Sequence, residues 1–233
     1  MKMIKLSLAA AAGVLALSSA AHAADDENPV KLAFNIGAQT DYVFRGISQT
    51  DEDPSVFGGI DATIAKIGYA GTWLSNVDFL NGTDFEYDLY AGVRPTLGPV
   101  AMDFGVIRYG YAGSPKGSHQ NYWEGKVAGS VPVGPATLGA AVYYSPEFFG
   151  KTGDAWYYEL NAAVNIPNTK FSVSGAVGHQ SVDIGPSYTT WNAGVGFALT
   201  DHIGFDVRYW DTAKDKFGSI SKARVVGAVK LTF

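Results

Sequence analysis

Residues 84–94 read Asp84-Phe85-Glu86-Tyr87-Asp88-Leu89-Tyr90-Ala91-Gly92-Val93-Arg94. Phe85, Tyr87, Leu89, Ala91 and Val93 recur at period two, and Asp84, Glu86, Asp88 and Arg94 occupy the opposite parity. A helix cannot separate these two sets, whereas a strand does so automatically, because successive side chains point to opposite faces. Residues 32–45 carry the same rhythm. Leu32, Phe34, Ile36, Ala38, Thr40, Tyr42 and Phe44 share one face, and Asn35, Gln39, Asp41 and Arg45 lie on the other.

Helical periodicity is absent from the rest of the chain, and the alternation predicts strands near 31–45, 55–66, 68–76, 83–95, 99–111, 120–132, 136–146, 155–166, 170–180, 188–199, 203–211 and 221–233. Their connections alternate in length. Short turns fall at 66–68, 96–98, 133–135, 167–169 and 201–202. Longer polar loops rich in Gly, Pro and Asp fall at 46–54, 76–82, 112–119, 147–154, 181–187 and 212–220. Hairpins with one short and one long end describe an up-and-down antiparallel barrel of about 12 strands. No linker or low-complexity tract divides it, so one domain is expected.

Composition narrows the class. The 233 residues hold no cysteine, which excludes a disulfide framework, cysteine-ligated zinc and thiol chemistry. A formal charge of -5 argues against a nucleic-acid partner. Charged residues at 17%, aromatics at 13% and a mean hydropathy of +0.03 argue against disorder. The N-terminus has the three parts of a secretory signal peptide: basic Met1-Lys2-Met3-Ile4-Lys5, an apolar run from Leu6 to Ala21, and the small-residue site Ala21-His22-Ala23. Cleavage after Ala23 leaves residues 24–233 as the barrel. No later stretch has 18 uninterrupted apolar residues, so no membrane helix is expected.

A soluble sandwich alternates too, so the wet face must be argued. Tyr42, Phe44, Phe85, Tyr87, Trp123, Tyr144, Trp156, Tyr158, Trp191 and Tyr209 gather near the long-loop ends of the apolar face. Phe171, Phe197 and Phe233 gather near the short-turn ends, and the strand middles are aliphatic or small, as in Ile36, Ile60, Leu89, Val127, Leu160 and Val195. Two aromatic belts around an aliphatic band are the lipid-facing pattern of an outer-membrane barrel. Strands of about 10 residues in an even number fit the same reading. The last strand alternates up to a C-terminal Phe233, which resembles the signal read by the barrel-assembly machinery. The sequence therefore predicts a single transmembrane β-barrel, all-β, in the outer membrane of a Gram-negative bacterium. It would be a monomer in contact with outer-membrane lipid and lipopolysaccharide, with both termini on the periplasmic side.

A family resemblance agrees. Asp41-Tyr42-Val43-Phe44-Arg45-Gly46-Ile47-Ser48-Gln49-Thr50 resembles the N-terminal signature of the TorF family of porin-like proteins, the Gcw_chp family. Gly71-Thr72-Trp73-Leu74-Ser75-Asn76-Val77, Tyr87-Asp88-Leu89-Tyr90-Ala91-Gly92, Tyr109-Gly110-Tyr111 and Tyr143-Tyr144-Ser145-Pro146-Glu147 continue the resemblance in order. It implies an outer-membrane barrel with a channel role. It supplies no catalytic or ligand residues.

The polar face should line the lumen. It carries Asp41, Asp61, Asp84, Glu86, Asp88, Asp103, Glu124, Glu159 and Asp206, with Arg45, Arg94, Lys126, Arg208, Lys222, Arg224 and Lys230. Charges so numerous must be hydrated or paired, because desolvating each costs several kcal/mol. Acids dominate the second to fifth strands and bases the last two and the first, which would set a field across the lumen. Two readings follow. One is a narrow channel for passive diffusion of small hydrophilic solutes or ions; the other is an internal ion-pair network in a plugged, structural or surface-interaction barrel.

Enzyme chemistry finds less support. A lipid-modifying barrel needs a nucleophile, a histidine and an orienting group in reach. His119 and His202 fall in loops or turns, and His179 closes the lipid-facing series Phe171, Val173, Gly175, Val177. Neither G-x-S-x-G nor H-E-x-x-H occurs. Gly194-Val195-Gly196 precedes no helix, so it makes no phosphate cradle. Asp51-Glu52-Asp53 lacks the glycine and distal glutamate of a calcium loop. No cofactor and no metal is expected.

Overall fold

The computed structural model describes residues 29–233. The expected signal peptide, residues 1–23, lies outside the described residues. Twelve antiparallel strands form one sheet: β1 Val30–Gln39, β2 Ser55–Ile64, β3 Gly68–Asn76, β4 Phe85–Val93, β5 Val100–Ala112, β6 Tyr122–Val133, β7 Ala136–Ser145, β8 Ala155–Asn165, β9 Phe171–Val182, β10 Tyr188–Ala198, β11 Ile203–Thr212 and β12 Arg224–Thr232. Each pairs with its neighbours in sequence, and β1 pairs with β12 from Asn35↔Thr232 to Gln39↔Ala228, which closes the barrel. The final residue completes that seam. Phe34 and Phe233 exchange backbone N–H···O bonds of 3.0 and 2.9 Å, which extends the closing seam to the chain's last residue. A two-residue strand, Thr96–Leu97, extends the turn between β4 and β5 by pairing with the start of β5. No helix among the described residues is long and apolar enough to cross a membrane.

The burial pattern is inverted relative to a soluble barrel. Leu89, Leu160 and Val225 are 53%, 63% and 64% exposed on the outer face, while Glu86 and Glu124 face inward at 1% and 2%. Trp123, Trp156, Tyr158, Trp191 and Tyr209 lie exposed on that outer face, with Phe85 and Phe233. Tyr87 and Tyr144 share their parity and are half-buried. On the outer face Trp156 stacks on Tyr158 with ring centroids 6.1 Å apart, and Tyr144 packs on Trp156 at 4.5 Å.

The first strand departs from expectation. It ends at Gln39 rather than near residue 45, and the next residues turn into the lumen. Tyr42 and Phe44 therefore leave the lipid-facing belt. Tyr42 is buried inside the barrel, and Phe44 packs edge-on to the inward-facing Tyr109 at 5.7 Å. The cause is local. Asp41 Oδ1 accepts hydrogen bonds from Ser48 Oγ (2.7 Å) and Thr50 Oγ1 (3.0 Å), which folds residues 41–50 back on themselves. Val43–Phe44 pairs with Ile47–Ser48 around Arg45-Gly46. Both turn residues have positive φ, 48° and 85°, the signature of a tight two-residue hairpin.

Candidate channel lumen

The inserted hairpin lies across the long-loop half of the barrel and touches walls on several sides. From its first arm, Tyr42 Oη donates to Glu86 Oε1 of β4 at 3.0 Å. At its tip, Arg45 makes two parallel bonds to Glu124 of β6, 2.8 and 2.7 Å, and a third to Gln180 Oε1 of β9 at 3.0 Å. Its guanidinium also lies 4.7, 4.8 and 4.2 Å from the ring centroids of Phe44, Tyr143 and Tyr157. Gly46 meets the far wall. A Cβ added there would sit 2.2 Å from Thr190 Oγ1 on β10 and 2.7 Å from Thr212 Cγ2 on β11. At the hairpin's base, Arg224 Nη1 of β12 donates to Asp41 Oδ2 at 2.6 Å.

Arg45 and Glu124 are both almost inaccessible, with side chains 4% and 2% exposed. Two ions in such a place are tolerated only with good geometry and further hydrogen bonds. Both conditions hold, since the contact is bidentate and Tyr109 Oη also donates to Glu124 Oε2 at 3.1 Å. An arginine at a positive φ has a steric cost of its own, of order 1–2 kcal/mol. Positive φ at this position is what a two-residue hairpin turn requires, so the cost is set by the turn and offset by the contacts of its tip.

Nearer the short-turn end, the charges form separate clusters. Asp103 accepts from Lys126 Nζ (2.7 Å), Tyr69 Oη (2.8 Å) and Arg94 Nε (3.2 Å). Arg208 binds Asp206 through Nε and Nη2 at 3.1 and 3.2 Å, and reaches Asn192 and Ser174 at 2.6 and 2.7 Å. Tyr90 Oη donates to Asp61 at 2.7 Å, and Glu159 accepts from Tyr157 and Asn161 at 3.1 and 3.0 Å. Lys230 is half-buried on the inner face of β12.

Most residues expected on the polar face thus fall inside, but not as two opposed walls. Arg45 crosses to Glu124, Arg208 pairs with Asp206, and Arg224 pairs with Asp41, so three of the five bases expected to set a transverse field are matched to an acid. Two expected lining residues lie elsewhere. Asp84 and Lys222 are exposed in long loops, before β4 begins and before β12 begins. They fall there because the strands start later than the alternation suggested. His179 is on the outer face with its Nδ1 2.9 Å from Thr189 Oγ1, and His202 Nδ1 lies 2.7 Å from Thr232 O. Neither is presented to the lumen. No group of three or more His, Cys, Asp or Glu suited to a metal ion occurs among the described residues.

Sequence reasoning missed the tyrosines of the inner wall. Tyr69, Tyr109, Tyr111, Tyr122, Tyr143, Tyr157 and Tyr188 are buried inside, and Tyr109 stacks on Tyr122 at 4.4 Å. Their parity gave the signal. Tyr122 shares a face with Glu124, and Tyr157 with Glu159, so position rather than side-chain type assigns them inward. At the mouth, a cleft of about 420 Å³ is lined by residues that include Thr50, Asp53, Asp78, Thr83 and Asp84.

Solved structures share this architecture. The KdgM porin superposes with a TM-score of 0.63 at 7% identity, covering 86% of this chain and 99% of its own. The NanC porin gives 0.60 at 8% identity, covering 87% and 99%. An outer membrane channel from Pseudomonas putida F1 gives 0.54 at 9% identity, covering 90% and 98%. At such identities the likeness is one of fold. No curated protein matches the sequence. The family described as "Bacterial protein of unknown function (Gcw_chp)" matches residues 23–233. The chain, with the closed twelve-stranded barrel of outer-membrane porins, belongs to the Gcw_chp family.

Proposed function

We propose that the protein is an outer-membrane channel for small hydrophilic solutes or ions, narrowed in its long-loop half by the hairpin of residues 42–50. Export by the signal peptide and assembly through β12 would place it there, with the aromatic belts against outer-membrane lipid and lipopolysaccharide. The observation that carries the reading is Arg45. A buried arginine at the tip of an inserted hairpin, held by a bidentate pair to the opposite wall, marks a segment that crosses the lumen on side-chain contacts and is not built into the wall. The polar and tyrosine-rich inner wall below it suits hydrated traffic rather than a dry interior.

A plugged structural barrel is the second reading, favoured by the pairing of so many lumen charges. Non-enzymatic action fits both readings, since the His179 and His202 rings are turned to Thr189 and Thr232 and away from the lumen acids. Single-channel recording in planar bilayers separates the two. A channel gives discrete steps that scale with salt concentration, with weak ion selectivity because the acids and bases are paired. A silent bilayer containing folded, heat-modifiable protein supports the plug.

A further inference from the structure

Two of the lumen acids with no ion pair among the described residues, Glu86 and Asp88, also keep buried oxygens without a hydrogen bond. Glu86 is 1% exposed and Asp88 is 8% exposed, and they sit two residues apart on the inner face of β4. Glu86 Oε1 takes the Tyr42 hydroxyl, but its Oε2 has no hydrogen-bond partner among the described residues. Asp88 Oδ1 is likewise buried and without a partner. The nearby Arg45 is committed to Glu124. Arg94 and Lys126 are held by Asp103, Arg208 by Asp206 and Arg224 by Asp41. Two carboxylates removed from water with no counter-charge are very unfavourable, and such a pair is relieved either by a shared proton or by a positive partner.

The surroundings specify the partner. Ser75 lies across from Glu86 on β3, and Tyr111 and Tyr109 lie across from Glu86 and Asp88 on β5. With Tyr42 from the hairpin, four neighbours offer hydroxyl oxygens, while the indole of Trp73 lies across from Asp88 on β3. Hard cations take oxygen ligands, and two carboxylates match a double positive charge. Calcium accepts irregular oxygen sets that magnesium does not. We propose that Glu86 and Asp88 bind a divalent hard cation of the calcium type, with the hairpin closing over it through Tyr42. The cation would then help hold the hairpin inward. Only two carboxylates contribute, so water and hydroxyl oxygens would complete the shell and the affinity would be modest.

This inference uses the inward hairpin but does not need the barrel to conduct, and binding is measured apart from passage. The folded protein in detergent is titrated with calcium by calorimetry. In parallel it is titrated with trivalent terbium, which occupies calcium sites and luminesces when a nearby tryptophan is excited. Trp73, across from Asp88 on β3, is the antenna. The expected result is saturable terbium luminescence displaced by calcium. Glu86→Gln and Asp88→Asn should each raise the calcium dissociation constant by at least about tenfold, since affinity follows the number of charged ligands. The double variant Asp51→Asn/Asp53→Asn, in the first loop beyond the hairpin, should leave it unchanged. Trp73→Phe should dim the luminescence while calorimetric binding persists. Each variant is first checked for heat-modifiable migration, and either of Glu86→Gln or Asp88→Asn decides the matter if the other fails to fold. Absence of saturable binding at millimolar calcium overturns the proposal. So does binding that both carboxylate variants retain, or that the loop variant abolishes.

Discussion

Glu124→Gln removes the partner of Arg45 while keeping the shape of the side chain. Arg45 would then be left with a full positive charge at 5% exposure, facing the rings of Tyr143, Tyr157 and Phe44 and the amide of Gln180. Breaking one side of a buried pair costs about 3–5 kcal/mol, mostly from the ion left behind. The barrel wall cannot move to relieve this, because β6 is hydrogen-bonded along its length to β5 and β7. The hairpin can move, since its two strands pair only with each other. The strain should therefore appear as outward movement. At about 1.4 kcal/mol per decade, the outward population rises by roughly two to three and a half orders of magnitude. Aromatic and amide contacts retained by Arg45 reduce that figure. Two assays read it. Trypsin added to intact barrels should cut after Arg45 in the variant and not in wild type. Single-channel records should show larger or longer openings. If Glu124→Gln resists trypsin at Arg45 and conducts as wild type does, the hairpin is not fastened by this pair.

Other perturbations test separate parts of the account. Gly46→Val would press a branched side chain against Thr190 and Thr212 at a positive φ, so it should raise conductance while leaving heat-modifiability of the barrel intact. Asp103→Asn removes the carboxylate that Lys126 and Arg94 share; a loss of stability in urea unfolding in lipid, up to about 3–5 kcal/mol, is expected, and Lys126→Met in the same background should recover part of it. Leu160→Arg on the outer face, 63% exposed in the aliphatic band, should cost about 2–4 kcal/mol of stability in bilayers. A milder effect in detergent micelles is expected; an equal effect in both would mean that this face does not meet lipid.

Much of the fold is legible because period two is enforced by geometry. β4 alternates cleanly from end to end, and its faces are assigned without knowing the neighbours. The hairpin is harder to read. Thr40, Tyr42 and Phe44 continue the parity of β1, so the pattern extends the strand five residues beyond Gln39. The departure is encoded instead in Asp41, Ser48 and Thr50, whose side chains hold a turn that alternation cannot register, and in Arg45-Gly46 at its tip. Pairing of Arg45 with Glu124, 79 residues away, is a property of closure and has no local signature. The inner tyrosines were obscured by chemistry rather than geometry. Tyrosine serves equally at a lipid interface and in a hydrogen-bonded wall. Tyr69, for example, donates to Asp103 inside the barrel, while Tyr209 donates to Asp211 on the outer side.

The central claim is that the inserted hairpin controls passage through the lumen, and the absence of native cysteine allows it to be locked. A Cβ at Gly46 would stand 2.9 Å from Thr190 Cβ, close enough for a bridge after a small outward shift, since bridged Cβ atoms lie about 3.5–4.5 Å apart. Single channels of the Gly46→Cys/Thr190→Cys variant are recorded first with the disulfide formed, then after a reductant is added to the same bilayer. The account predicts little or no conductance while the bridge holds, and openings at least as large as wild type once it is reduced. Identical conductance before and after reduction, with the bridge shown to form and break, would contradict it.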